Sequence, residues 1–175
     1  MKCILLLCFL CGIVFDAGAR PVAERPQKTG LWHVEASFYG FPFISGGFLS
    51  LNGSYSCRLA SWFAAGGGAG LELTPFEGIS ACHLFVRLRS EVPAWNVAPL
   101  LLLDGGIGLR FTGRETEFAP VTNTVLGVRC NLDKGHDITV GFGIHGIWPG
   151  DSDTDSECGS SPFMMQPFLH FGFTF

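Results

Sequence analysis

The chain has 175 residues and a net charge of −4, with charged side chains at only 15% of positions, where about 25% is ordinary. Lysine occurs three times, glycine 24 times and phenylalanine 17 times. So few basic residues exclude a nucleic-acid-binding role, which needs a basic face.

The N-terminal stretch reads as a processing signal. Lys2 gives a positive start, Ile4 to Phe15 is an apolar run, and Ala17-Gly18-Ala19 forms a small-residue cleavage site. The run is shorter than the roughly 20 residues that a membrane helix needs. Residues 1–19 are therefore expected to be a cleaved signal peptide, residues 20–29 a flexible lead-in with Pro21 and Pro26, and residues 30–175 one domain. Cys57, Cys82, Cys130 and Cys158 follow the signal. Their spacing gives no zinc pattern. Cys82 and Cys130 lie in strand-like runs, where a small apolar role is usual, and disulfide pairing stays open.

From residue 31 onward the chain alternates with a period of two, the signature of strands with one apolar and one polar face. Run one, Leu31 to Phe41, sets Trp32, Val34, Ala36 and Phe38 against His33, Glu35, Ser37 and Tyr39. Run two, Gly46 to Cys57, sets Leu49, Leu51 and Tyr55 against Ser50, Asn52, Ser54 and Ser56. Run three, Ser61 to Leu73, opposes Phe63, Leu71 and Leu73 to small residues and Glu72, and run four, Gly78 to Ser90, opposes Cys82, Leu84, Val86 and Leu88 to His83, Phe85, Arg87 and Arg89. In run five, Trp95 to Phe111, Leu101, Leu103, Ile107, Leu109 and Phe111 face away from Asp104, Gly106, Gly108 and Arg110, but Leu100 to Leu103 breaks the alternation. Run six, Phe118 to Asn131, is the weakest, with Leu126, Val128 and Cys130 opposed to Asn123, Arg129 and Asn131. Run seven, Asp137 to Trp148, opposes Ile138, Val140, Phe142 and Ile144 to Thr139, Gly141, Gly143 and His145. Run eight, Phe163 to Phe175, places Leu169, Phe171, Phe173 and Phe175 opposite His170, Gly172 and Thr174. Pro167 lacks an amide hydrogen, so this strand should be regular only from about Phe168, or bulge there.

Eight runs of this length match strands that cross a bilayer at a tilt. In lipid, unpaired edge amides are costly, so the sheet must close. The expected fold is all-β: a closed antiparallel eight-stranded transmembrane β-barrel. The polar face is too poor in lysine for a water-facing surface, which makes it a lumen lining. Glu35, Glu72, Arg87, Arg89, Asp104, Arg110 and Arg129 would pair there, since an arginine facing lipid costs about 2–4 kcal/mol. Arg58 to Ala60, Glu91 to Ala94 and Leu132 to His136 would then be periplasmic turns. Pro42 to Ser45, Thr74 to Glu77, Thr112 to Glu117 and Pro149 to Pro162 would be outer loops. Trp32, Trp62, Trp95 and Trp148 fall near strand ends, as an interfacial belt requires.

On strand number, length and the ending Leu169, Phe171, Phe173, Phe175, the chain resembles the small eight-stranded bacterial outer-membrane proteins of the OmpA-like, OmpX-like and OmpW-like group. The resemblance implies that this ending is read by the outer-membrane assembly machinery. It also implies an outer-membrane location in a diderm bacterium, contact with outer-membrane lipids, and loops that meet a host or extracellular ligand. A structural or surface-interaction role follows. The OmpW-like resemblance adds the alternative of a narrow, porin-like conduit for small or hydrophobic solutes.

No enzyme site or cofactor is expected. The loop with Asp151, Asp153, Asp155 and Glu157 is spaced like the start of a calcium loop but lacks its glycine and has Pro162 where the last ligand belongs. A solvated acidic loop is the better reading. His145 near Ser152 imitates a lipid-modifying barrel enzyme without that group's local motifs. His33, His83 and His170 sit on separate runs without ligand spacing, so hydrogen bonding rather than metal binding is expected. Gly30-Leu31-Trp32 fits a lipocalin opening, a soluble-carrier reading that the lysine-poor polar face opposes.

Overall fold

A computed structural model describes residues 30–39, 47–74, 78–92, 95–112, 115–132, 136–147 and 164–175. These residues form eight strands: β1 Gly30–Tyr39, β2 Phe48–Ala60, β3 Phe63–Thr74, β4 Gly78–Glu91, β5 Val97–Thr112, β6 Glu115–Asn131, β7 Asp137–Ile147 and β8 Met164–Thr174. Each pairs antiparallel with the next, and β8 pairs back onto β1, closing the barrel. Backbone bonds between Trp32 and Phe175, 3.0 and 3.1 Å long, extend that closure. The segments expected as signal peptide and lead-in, Trp148 and the expected acidic loop lie outside the described residues.

The strands are staggered. The ladder leads from Leu31 through Ser56, Gly66, Arg87, Asp104, Asn123 and His145 to Gln166. Gln166 stands two residues before Phe168, the partner of Tyr39. One circuit therefore climbs from the level of Leu31 to two residues past Tyr39, a stagger of ten. Such a stagger goes with strands tilted by about 35–45°. It brings side chains far apart in sequence to one level of the lumen.

The alternation read from the sequence is the alternation of burial. His33, Glu35, Ser37 and Tyr39 are buried on β1, while Trp32, Val34 and Phe38 are exposed. The break at Leu100 to Leu103 is no break. Leu100 and Leu102 point inward, buried, and Leu103 outward. With Tyr39, Val125 and Phe168 they form an apolar plug inside an otherwise polar lumen. Inward glycines make the room. A Cβ on Gly143 would collide with the ring of Phe168, and one on Gly70 with Asn52 and His83.

Several expected boundaries are corrected. Arg58 to Ala60 belong to β2, and the turn is Ser61–Trp62. Glu91 ends β4 rather than opening a turn. The expected loop from Thr112 to Glu117 is mostly strand, with only residues 113 and 114 between β5 and β6. Pro167 lies within a continuous β8 without a bulge. It pairs with Ile144 on β7, and the ladder to β1 starts one residue later, at Phe168. Pro99 lies one residue outside the β4–β5 ladder and Pro120 one residue outside the β6–β7 ladder. Each strand proline thus pairs on one side only, where its missing amide hydrogen is tolerated.

Candidate functional site

The barrel is polar within and apolar without. Among the described residues, 20 polar or charged side chains are buried and 27 large hydrophobics are exposed, the reverse of a protein whose solvent is water. The lumen divides into three groups. "Proximal" below is the end that holds Gly30 and Phe175; the opposite end is distal.

The central group is built on Arg87. Its Nε and Nη2 donate to the two carboxylate oxygens of Asp104, both at 2.7 Å. Its Nη1 donates to Glu35 and, at 3.0 Å, to Ser54. The guanidinium carbon stands 4.9 Å from the Phe85 ring centre, a cation–π contact. The fork of the guanidinium matches a carboxylate edge on, and register puts Arg87 opposite Asp104 on the neighbouring strand.

The proximal group is built on Glu91. Arg58 reaches it at 2.9 Å, Arg89 at 2.8 Å and Arg129 at 3.4 Å. Arg129 also approaches Asp137 at 3.7 Å and donates to the Trp95 carbonyl at 3.1 Å. Arg89 further contacts His33 Nδ1 at 3.1 Å and Thr174 at 3.2 Å. Three cations face two acids here, whereas the central group has one cation and two acids. The two groups offset one another.

The distal group is Glu72, His83 and His145. The ring atoms His83 Nδ1 and His145 Nε2 each stand 3.8 Å from the same oxygen, Oε1 of Glu72. The other nitrogen of each ring is held by an asparagine: His83 Nε2 at 2.9 Å from Asn52 Oδ1 and His145 Nδ1 at 2.6 Å from Asn123 Oδ1. A β-bulge lies beside Glu72, where Ser80 is the extra residue and its hydroxyl donates to the Glu72 carbonyl at 3.2 Å.

The residues singled out from sequence thus part company. Glu35, Arg87 and Asp104 come together. Arg89 and Arg129 turn instead to Glu91, and Glu72 finds histidines rather than an arginine. Arg110 is corrected: it shares the inward register and lines the distal cavity with Glu72, but it is exposed at the rim, opposite Glu117, without an ion pair among the described residues. Sequence reading missed Arg58, Glu91 and Asp137. Their signal was parity carried to the strand ends, hidden for Arg58 and Glu91 by the assignment of those ends to turns and passed over for Asp137, the first residue of run seven.

Leu169, Phe171, Phe173 and Phe175 all face outward and are 39–48% exposed. Cys57, Cys82 and Cys130 are unbridged. A buried serine–histidine contact does exist, Ser37 Oγ to His170 Nδ1 at 3.4 Å. Both residues are buried in the lumen at 2% exposure.

Neither a protein-family model nor a curated protein matches this sequence. A structural comparison finds Neisserial surface protein A, with a TM-score of 0.59 and 12% sequence identity, over 86% of this chain and 98% of that one. At that identity the likeness speaks for the fold. Together with the barrel closure, it gives this chain the fold of the small eight-stranded outer-membrane β-barrel proteins.

Proposed function

We propose that this chain is an integral outer-membrane protein with a sealed barrel, serving as a structural or surface-interaction protein through its distal loops. The observation that carries the reading is where charge is exposed. Among the residues whose burial is described, the exposed charged side chains are Arg110 and Glu117. They face each other across the β5–β6 hairpin, at the distal end. The wall between the two ends is largely apolar, as a lipid surface must be, with Thr122 and Thr124 the exposed hydroxyls midway along β6. Trp32 and Trp62 are both exposed at the proximal end, in keeping with an interfacial aromatic girdle.

The filled lumen supports the surface role over the conduit. The Arg87 cluster and the Leu100, Leu102, Phe168 plug occupy it with directly packed or bonded side chains. An ion would have to break those bonds to pass. The outward row Leu169, Phe171, Phe173 and Phe175 is the surface we assign to the outer-membrane assembly machinery. Fractionation and planar-bilayer recording test the reading together. Recovery in the outer-membrane fraction, heat-modifiable mobility on a gel and no step conductance are expected. Recovery as a detergent-independent soluble protein, or regular single-channel steps, would overturn it.

A further inference from the structure

We propose that Arg110 is a two-position latch at the distal end of the lumen, which swings from the exposed rim across Ala81 onto Glu72. The argument starts from the pairing of buried acids. Among the described residues, Glu35, Glu91, Asp104 and Asp137 each have an arginine within 4.0 Å, and Glu72 does not. The arginine left over is Arg110, whose guanidinium makes no ion pair or hydrogen bond among the described residues.

One row of the register holds both residues. Glu72 on β3 pairs with Ala81 on β4, Ala81 with Arg110 on β5, and Arg110 with Glu117 on β6. Cross-strand partners share a face of the sheet, here the inner one. Arg110 therefore stands between a buried acid two strands away and an exposed acid beside it.

The inner acid lacks what Arg110 carries. Oδ1 of Asn52 and Oδ1 of Asn123 offer lone pairs only, so the ring nitrogens facing them carry the protons. In a neutral imidazole the other nitrogen then bears a bare lone pair. Those atoms are His83 Nδ1 and His145 Nε2, both buried without a hydrogen-bond partner. Each lies 3.8 Å from Glu72 Oε1. Three acceptors converge with no donor among them, and buried acceptors left so are costly. A guanidinium brings five N–H donors and no acceptor, and it presents two of them to a carboxylate at once.

The path is short and open. Arg110, Glu72, His83 and His145 line one cavity of about 20 Å³, with Ala81 and Gly108 in its wall. That is about the size of a water molecule, so side-chain torsions of Arg110 close it while the strands stay in place. Two strand spacings, roughly 10 Å, separate the backbones of Arg110 and Glu72. The residue between them is only an alanine, and a larger side chain there would block the way. The outer position offers little hold, because an exposed pair with Glu117 is screened by water. Moving inward strips water from the guanidinium but gives the buried carboxylate its donor. Those opposed changes set two positions against each other. With Arg110 inward, the distal cavity is closed.

The latch belongs to the lumen and needs no loop partner, so the full chain folded in detergent tests it apart from the surface role. Phenylglyoxal labels accessible guanidinium groups, and peptide mass spectrometry reads the label at Arg110. Glu72→Gln removes the charge at the inner position and Ala81→Leu blocks the path. Each should raise the labelling rate at Arg110 severalfold over the parent chain, while Arg87, held by Asp104 and Glu35, stays unlabelled in all three. Heat-modifiable mobility reports whether each variant folds. Where Ala81→Leu does not, Ala81→Val takes its place and the same rise is required. Equal rates in the parent and Glu72→Gln overturn the proposal, since Arg110 then spends no time inward. A rise in Glu72→Gln with none in the folded Ala81 variant also overturns it, because the carboxylate would then act on the reaction through its charge and not by holding Arg110.

Discussion

The two ends of the lumen treat a buried carboxylate in opposite ways. At the proximal end Glu91 is gripped by three arginines, within 3.4 Å of each. At the distal end Glu72 has no hydrogen-bond donor among the described residues, only two imidazole nitrogens at 3.8 Å. Position in the barrel does not account for this, because both acids lie near a strand end and both face inward. The difference lies in the donors. The proximal acid Glu91 carries three arginines, although the three cations of that group exceed its two acids, and it behaves as a strut. The distal acid Glu72 has only imidazoles beside it.

The largest effect should come from breaking the strut. Glu91→Ala leaves Arg58, Arg89 and Arg129 facing one another with Asp137 alone. Removing one partner from a buried ion pair costs about 3–5 kcal/mol. Urea unfolding of the barrel in lipid vesicles should show a loss of that order. A midpoint unchanged from the parent chain would mean that water reaches the arginines and that the proximal group is no strut.

A second contrast runs between the inner and outer faces of the wall. Gly143→Ala drives a methyl into the Phe168 ring, while an added Cβ at Gly53 meets nothing within 4 Å. Gly53 lies on the outer wall, in a hollow of about 860 Å³ lined by Val34, Leu51, Ala69, Leu71 and Leu84 among others. Overpacking costs about 1–3 kcal/mol. Gly143→Ala should therefore lower stability by that amount and Gly53→Ala should leave it within error, read by the same unfolding assay. Equal effects would refute the assignment of faces.

The fold was legible because a period of two is a direct print of inside and outside. His33, Glu35, Arg87 and Asp104 were placed by parity alone. What failed was local or non-local, for separate reasons. Arg58 sits beside a register shift that leaves Leu59 unpaired, and a lone charge before a bulge looks like a turn. Leu100 and Leu102 face inward but are apolar, so they disguised the alternation that they obey. The distal group could not be read from spacing at all. Glu72 and His83 are on neighbouring strands, but His145 is three strands further round. Only closure with its stagger brings its ring to the same carboxylate.

A small expected effect separates the two ends most sharply. Glu72→Gln removes a charge that nothing donates to, and it supplies an amide N–H that can reach an imidazole lone pair. Its cost should be below about 1 kcal/mol, because an unpaired buried charge is the expensive state. If Glu72→Gln instead destabilises the barrel as strongly as Glu91→Ala in the same unfolding assay, Glu72 is a second strut and the contrast between the two ends disappears.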